Sequence, residues 1–86
     1  MVTILYFAWV RQKTGRAQEV FPLPAGVTNV TQLMERLAAR GEGFAEAFRA
    51  PERLRCAVNQ RHAGFDTAVK AGDEIAFFPP VTGGCA

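Results

Sequence analysis

The order of elements predicts an α+β roll, a mixed sheet with one main helix packed across one face. Three observations lead there. Apolar or alternating runs bounded by Gly and Pro stand on either side of one run with helical spacing, which reads β, β, α, β, β along the chain. The first of these runs is apolar on both faces, yet the chain offers few helices to cover two faces of a sheet. One set of its side chains is then core, and the other is a surface that waits for a partner. Finally, 86 residues suffice for one small domain and no more.

The first strand is read over Val2 to Val10. Val2, Ile4, Tyr6 and Ala8 point one way; Thr3, Leu5, Phe7 and Trp9 point the other. Arg11 to Arg16 is polar and contains Gly15, so it reads as a turn or a short helical turn. Ala17 to Leu23 is a second strand, closed by Pro22 and Pro24. Thr28 or Asn29 can cap the one clear helix, in which Val30, Leu33, Met34, Leu37 and Ala38 recur on a single face. Gly41 is expected to end it in the left-handed conformation. Phe44, Ala47 and Phe48 indicate a second short helical piece, stopped by Pro51. Leu54 to Gln60 alternates as a half-buried strand, followed by a loop with a short strand near His62-Ala63. Gly72-Asp73-Glu74 turns into the last strand, Ile75 to Phe78, which Pro79-Pro80 stops by supplying no N–H donors to a ladder. The domain is expected to span residues 1–80. Residues 81–86 form a flexible tail carrying Gly83-Gly84, whose missing Cβ atoms let it enter a channel too narrow for other residues.

Composition narrows the function classes. Hydrophobic residues make up 49% of the chain and charged ones 21%, a balance that folds rather than staying disordered. A formal charge of +2, with Arg and Lys scattered, does not point to nucleic acid. No apolar run approaches the roughly 18 residues of a membrane span. The opening M-V-T-I-L-Y-F-A-W-V lacks a basic leader and reads as a strand. Cys56 mid-strand and Cys85 in the tail make no disulfide framework, which fits a cytoplasmic protein with free thiols. His62 is the single histidine, so no metal site and no Ser-His-Asp arrangement is expected.

Acid–base work needs converging titratable groups, and the late part of the chain offers only His62, Asp66, Asp73 and Glu74. Asp73-Glu74 reads as turn chemistry rather than a carboxylate pair. Gly83-Gly84 is no phosphate loop, since no strand–loop–helix context surrounds it. Phe77 and Phe78 must point to opposite faces. Phe77 goes with Ile75 to the core. Phe78 is either buried under the helix's far edge or an exposed anchor beside Leu5 and Phe7.

Three strings together are specific. G-D-E-I-A-F-F-P-P-V-T-G-G (Gly72 to Gly84), I-L-Y-F-A-W-V-R (Ile4 to Arg11) and A-V-N-Q (Ala57 to Gln60) closely resemble the molybdopterin synthase small subunits, the MoaD-type sulfur carriers. The resemblance implies a β-grasp, ubiquitin-like fold. It also implies a chemistry in which the protein is not an enzyme by itself. An adenylating enzyme of the MoeB type activates the terminal glycine carboxylate with ATP. Sulfur then replaces AMP to give a thiocarboxylate. The tail enters the large synthase subunit, of the MoaE type, within a heterotetramer, and donates sulfur to cyclic pyranopterin monophosphate. By position, Gly84 matches the reacting glycine and Gly83 its neighbour. Phe7, Arg11 and Phe78 match partner-contacting positions, and His62 falls where the family often has an apolar contact residue. Pro79, Pro80, Val81 and Thr82 match the segment threaded toward the partner's active site. No cofactor bound to the chain itself is implied.

One departure stands out. Such chains usually stop at the second glycine, whereas Cys85-Ala86 follows Gly84 here and locks its carboxylate in a peptide bond. A working carrier would therefore need Cys85-Ala86 removed. The rivals are a carrier for thiazole or cysteine synthesis or protein tagging, with the same tail chemistry, and a non-carrier β-grasp binding module.

Overall fold

The computed structural model describes residues 1–80. Along them run β1 (Val2–Tyr6), α1 (Ala8–Thr14), β2 (Gln18–Phe21), α2 (Val30–Ala38), α3 (Glu42–Phe48), a single 3₁₀ turn (Pro51–Arg53), β3 (Arg55–Val58), β4 (Arg61–Ala63) and β5 (Glu74–Phe78). The strands form one mixed sheet in the order β2-β1-β5-β3-β4. β1 and β5 run parallel at its middle, and the other pairings are antiparallel. The expected α+β roll is the fold observed.

Side-chain alternation sets what each face does. Val2, Ile4 and Tyr6 of β1, Cys56 of β3, and Ile75 and Phe77 of β5 are buried in one cluster. Val30, Leu33, Met34 and Leu37 of α2 and Phe44, Ala47 and Phe48 of α3 close it from above. Phe48 meets Phe77 edge-to-face at 5.0 Å between ring centroids. α2 starts on Asn29, whose Oδ1 accepts from the Gln32 N–H at 2.8 Å. Gln32 reaches back, its Oε1 accepting from the Thr28 N–H at 2.6 Å, so two otherwise orphan donors are satisfied. The edge of the roll is tied by charge: Glu19 accepts from the Tyr6 hydroxyl at 2.6 Å and pairs with Arg40 at 2.7 Å. Burial pushes the Glu19 carboxyl up, but hydrogen bonds from Arg40 and Tyr6 outweigh it and hold the group below the usual carboxylate range.

Three expectations change. The first strand stops at Tyr6 rather than Val10, because Ala8 takes a left-handed backbone at φ 55° and turns the chain straight into α1. The same apolar residues then serve a helix, with Val10 and Thr14 buried four residues apart. Helical cover on the sheet is therefore larger than one main helix. Gly41 does not cap α2, which ends on a right-handed Ala39. Gly41 instead precedes α3 at φ 156°, ψ 177°, and its carbonyl accepts the Ala45 N–H at 2.8 Å. The strand read over Leu54 to Gln60 ends at Val58, because Asn59 and Gln60 both take positive φ, 53° and 70°, in the two-residue turn to β4. Val81, Thr82, Gly83, Gly84, Cys85 and Ala86, and with them the expected boundary between domain and tail, lie outside the described residues.

Candidate functional site

The face of the sheet turned away from the helices is built by register. Partners across a ladder point to the same side. One row therefore runs Gln18, Leu5, Ala76, Ala57, His62 across all five strands. The next row pairs Phe78 with Arg55, and one register step beyond Tyr6↔Phe77 brings Phe7 alongside Phe78. Phe7 is extended at φ −123°, ψ 152°, and its N–H donates to the Phe77 carbonyl at 3.1 Å. On the other flank Val20 stands opposite Thr3.

This face is apolar and unequally covered. Phe7 is 48% exposed and Val20 63%, while Leu5 and Phe78 are half-buried. Ala57 and Ala76 at the centre are buried, with Leu5 and His62 beside them in the row. His62 is exposed, and its ring meets the Phe78 ring edge-on at 5.5 Å. The sequence-derived contact residues Phe7, Phe78 and His62 thus stand together on one face. Arg11 lies elsewhere, exposed on α1, its N–H reaching the Phe7 carbonyl at 3.4 Å. Pro79 and Pro80 are half-buried and follow directly on β5. Val81, Thr82, Gly83 and Gly84 fall outside the described residues, so their placement is not part of this geometry.

β5 fixes where Pro79 and Pro80 stand. It is paired on both sides, with β1 and with β3, so its direction is fixed by two ladders. Its first turn is equally fixed. Asp73 is buried and accepts from the Lys70 N–H at 2.9 Å and from Asn59 Nδ2 at 3.1 Å. The Asn59 hydrogen bond, with that of Lys70, holds its carboxyl below the usual range against the effect of burial. Asp73-Glu74 is turn chemistry, as the sequence indicates.

The described residues offer little side-chain chemistry. The Cys56 thiol is buried, donates to the Ala63 carbonyl at 3.2 Å, and is pushed by burial up to about 11, so it is protonated at neutral pH. Among the described residues no group of three His, Cys, Asp or Glu side chains gathers as a metal-ligand set. None of the described helices is long and apolar enough to cross a membrane. What the arrangement presents is an open apolar face beside the end of the central strand, where Pro79 and Pro80 follow. Sequence reasoning allowed a short helical turn at Arg11 to Arg16 but missed that the helix starts at Ala8, and it missed the burial of Ala57 and Ala76. Only the i, i+4 spacing of Val10 and Thr14 signalled the helix.

Comparison with known proteins places these features. The model of the ThiS family matches residues 4–84, a span that ends at Gly84 and leaves out Cys85-Ala86. The molybdopterin synthase sulfur carrier subunit of Escherichia coli is 39% identical over 84 residues, covering 98% of this chain and all of that protein. A solved structure from Pyrococcus furiosus, described as molybdopterin converting factor subunit 1, superposes with a TM-score of 0.74 at 32% identity, covering 93% of this chain and 97% of that one. A chain from the complex of subunits 1 and 2 of the molybdopterin-converting factor of Helicobacter pylori shares the fold, with a TM-score of 0.63 at 23% identity over 96% of this chain and 97% of that one. With its β-grasp sheet, its central last strand and a match running to Gly84, the chain belongs to the ThiS family, alongside proteins named as molybdopterin synthase sulfur carrier subunits.

Proposed function

We propose that this chain is the sulfur-carrying small subunit of a molybdopterin synthase, with Gly84 as its reacting residue. The observation that carries the reading is the full-length similarity to sulfur carrier subunits, at 39% identity, together with a family match that stops at Gly84. The fold supports it. A central strand paired on both sides leads directly into Pro79-Pro80, the start of the segment that matches the threaded tail.

Cys85-Ala86 is first removed, which frees the Gly84 carboxylate. An adenylating enzyme joins that carboxylate to the AMP portion of ATP and releases pyrophosphate. A sulfur donor then displaces AMP and leaves a thiocarboxylate. Gly83 keeps the approach free of side chains. The large synthase subunit takes the tail through Pro79, Pro80, Val81 and Thr82 and docks on the face carrying Phe7, Phe78 and His62, with Arg11 of α1 as a further contact. Sulfur passes to cyclic pyranopterin monophosphate, and Gly84 returns as a carboxylate. Catalytic side chains belong to the partners, ATP serves the adenylating enzyme, and the carrier holds no cofactor of its own. The setting is the cytoplasm.

The test is transfer. The thiocarboxylate of the chain ending at Gly84 is mixed with its own large subunit and cyclic pyranopterin monophosphate. Formation of molybdopterin is the expected result. Retention of sulfur on Gly84 in this mixture, with release to a thiazole or cysteine precursor instead, would assign the carrier to another pathway.

A further inference from the structure

We infer that the cleft between α1, α3 and the 3₁₀ turn receives an acidic segment of the large synthase subunit, beside the point where the chain leaves the sheet. This rests on the function proposed above. The cleft holds about 330 Å³ and is lined by Trp9, Lys13, Arg49 and Arg53, with Glu46 on one wall and Ala47 below.

Its position is fixed by the two strands that flank β5. Trp9 comes two residues after Phe7, whose N–H is bonded to the Phe77 carbonyl at 3.1 Å. Arg53 comes two residues before Arg55, the register partner of Phe78. Trp9 and Arg53 meet, the guanidinium lying 5.9 Å from the indole centroid. The cleft is thus walled by chain from both sides of the end of β5, where Pro79 begins the exit. A protein that grips the chain beyond Pro80 covers this end.

Its charge selects what covers it. The lining holds three cations and one carboxylate. Glu46 is shared between Lys13 at 3.0 Å and Arg49 at 3.7 Å. Among the described residues Arg53 has no carboxylate within 4.0 Å. Both ion pairs are exposed, and Arg49 is 76% so, which means they add little to stability and are readily exchanged. A surplus of mobile positive charge around an indole and an alanine floor fits a segment carrying Asp or Glu beside an apolar residue. Electrostatic matching of this kind sets partner choice and association rate.

The experiment measures affinity for the large subunit by calorimetry, at about 0.1 M and then about 0.5 M salt, where exposed charges are increasingly screened. Arg53→Glu is compared with Arg36→Glu, an equal charge change on the exposed side of α2, and with Phe78→Ala on the sheet face. Arg49→Glu repeats the test without touching the Trp9 contact. The cleft variants are expected to weaken binding about tenfold or more at low salt and less at high salt, with Arg36→Glu within about twofold of the parent. If both cleft variants match Arg36→Glu while Phe78→Ala weakens binding, the cleft is not an interface and the proposed function stands. If Phe78→Ala is silent as well, the docking reading fails with it. A loss confined to the adenylating enzyme, titrated in parallel, overturns the assigned occupant.

Discussion

Gly43, in the first turn of α3, sits where alanine would ordinarily stabilise a helix by about 1 kcal/mol. Here a Cβ would collide with the Lys13 carbonyl oxygen, so α3 seats on the end of α1 only through that hydrogen. Gly43→Ala is expected to destabilise the fold by about 1–3 kcal/mol in denaturant unfolding, as overpacking does; a neutral or stabilising result would show that α1 and α3 do not meet so closely. Phe78 and Leu37 make the complementary comparison. Leu37 is fully buried on the inner face of α2 and its truncation is expected to cost about 2–5 kcal/mol. Phe78 is half-buried on the open face, so Phe78→Ala should lose much less stability yet weaken large-subunit binding by about 2 kcal/mol or more. Equal unfolding losses would make Phe78 ordinary core. Single residues were legible where their pattern had one meaning. A cap at Thr28 or Asn29 followed from residue type and place, with the structure choosing Asn29, and the core side of Phe77 followed from alternation with Ile75. Ala8 was not legible, because nothing in an alanine announces a backbone at φ 55°.

At the scale of elements, the hairpin between β3 and β4 is fastened to the start of β5 through Asn59. Its Nδ2 donates to Asp73, its Oδ1 accepts the Glu74 N–H at 3.0 Å, and its own N–H donates to the Glu74 carbonyl at 2.7 Å. Asn59→Gly keeps the positive φ and removes only the side-chain bonds, so a loss of about 1–2 kcal/mol is expected. The pH dependence carries a further mark. The Asp73 carboxyl is held below its ordinary value of 3.8 in the folded chain, so its contribution is present above that value and is lost as pH falls through the lower folded one. Asn59→Gly should therefore flatten the loss of stability on acidification below about pH 4. An unchanged acid slope would show that Asn59 does not hold that carboxylate. β5 and α2 could be read from sequence, since each had its own period and punctuation. The start of α1 could not, since V-T-I-L-Y-F-A-W-V is apolar at both the strand and the helix spacing, and only packing of Val10 and Thr14 decides between them.

For the molecule as a whole, the proposed role makes the roll a carrier whose reacting group is the Gly84 backbone carboxylate. The fold class was legible because element order and length admit few arrangements. The open apolar face was legible because β1 has more apolar surface than the helices can cover. The basic cleft at the exit was not, since Trp9 lies about forty residues from Arg49 and Arg53 in sequence and meets them only through packing. The role of Gly84 came from the resemblance of the terminal string, not from geometry. It is tested most directly by intact mass. Two versions of the chain, one ending at Gly84 and one at Ala86, are incubated with the adenylating enzyme, ATP and a sulfur donor. An oxygen-to-sulfur mass gain is expected only in the version ending at Gly84. Equal thiolation of the version ending at Ala86, with no residues lost, would contradict Gly84 as the reacting terminus.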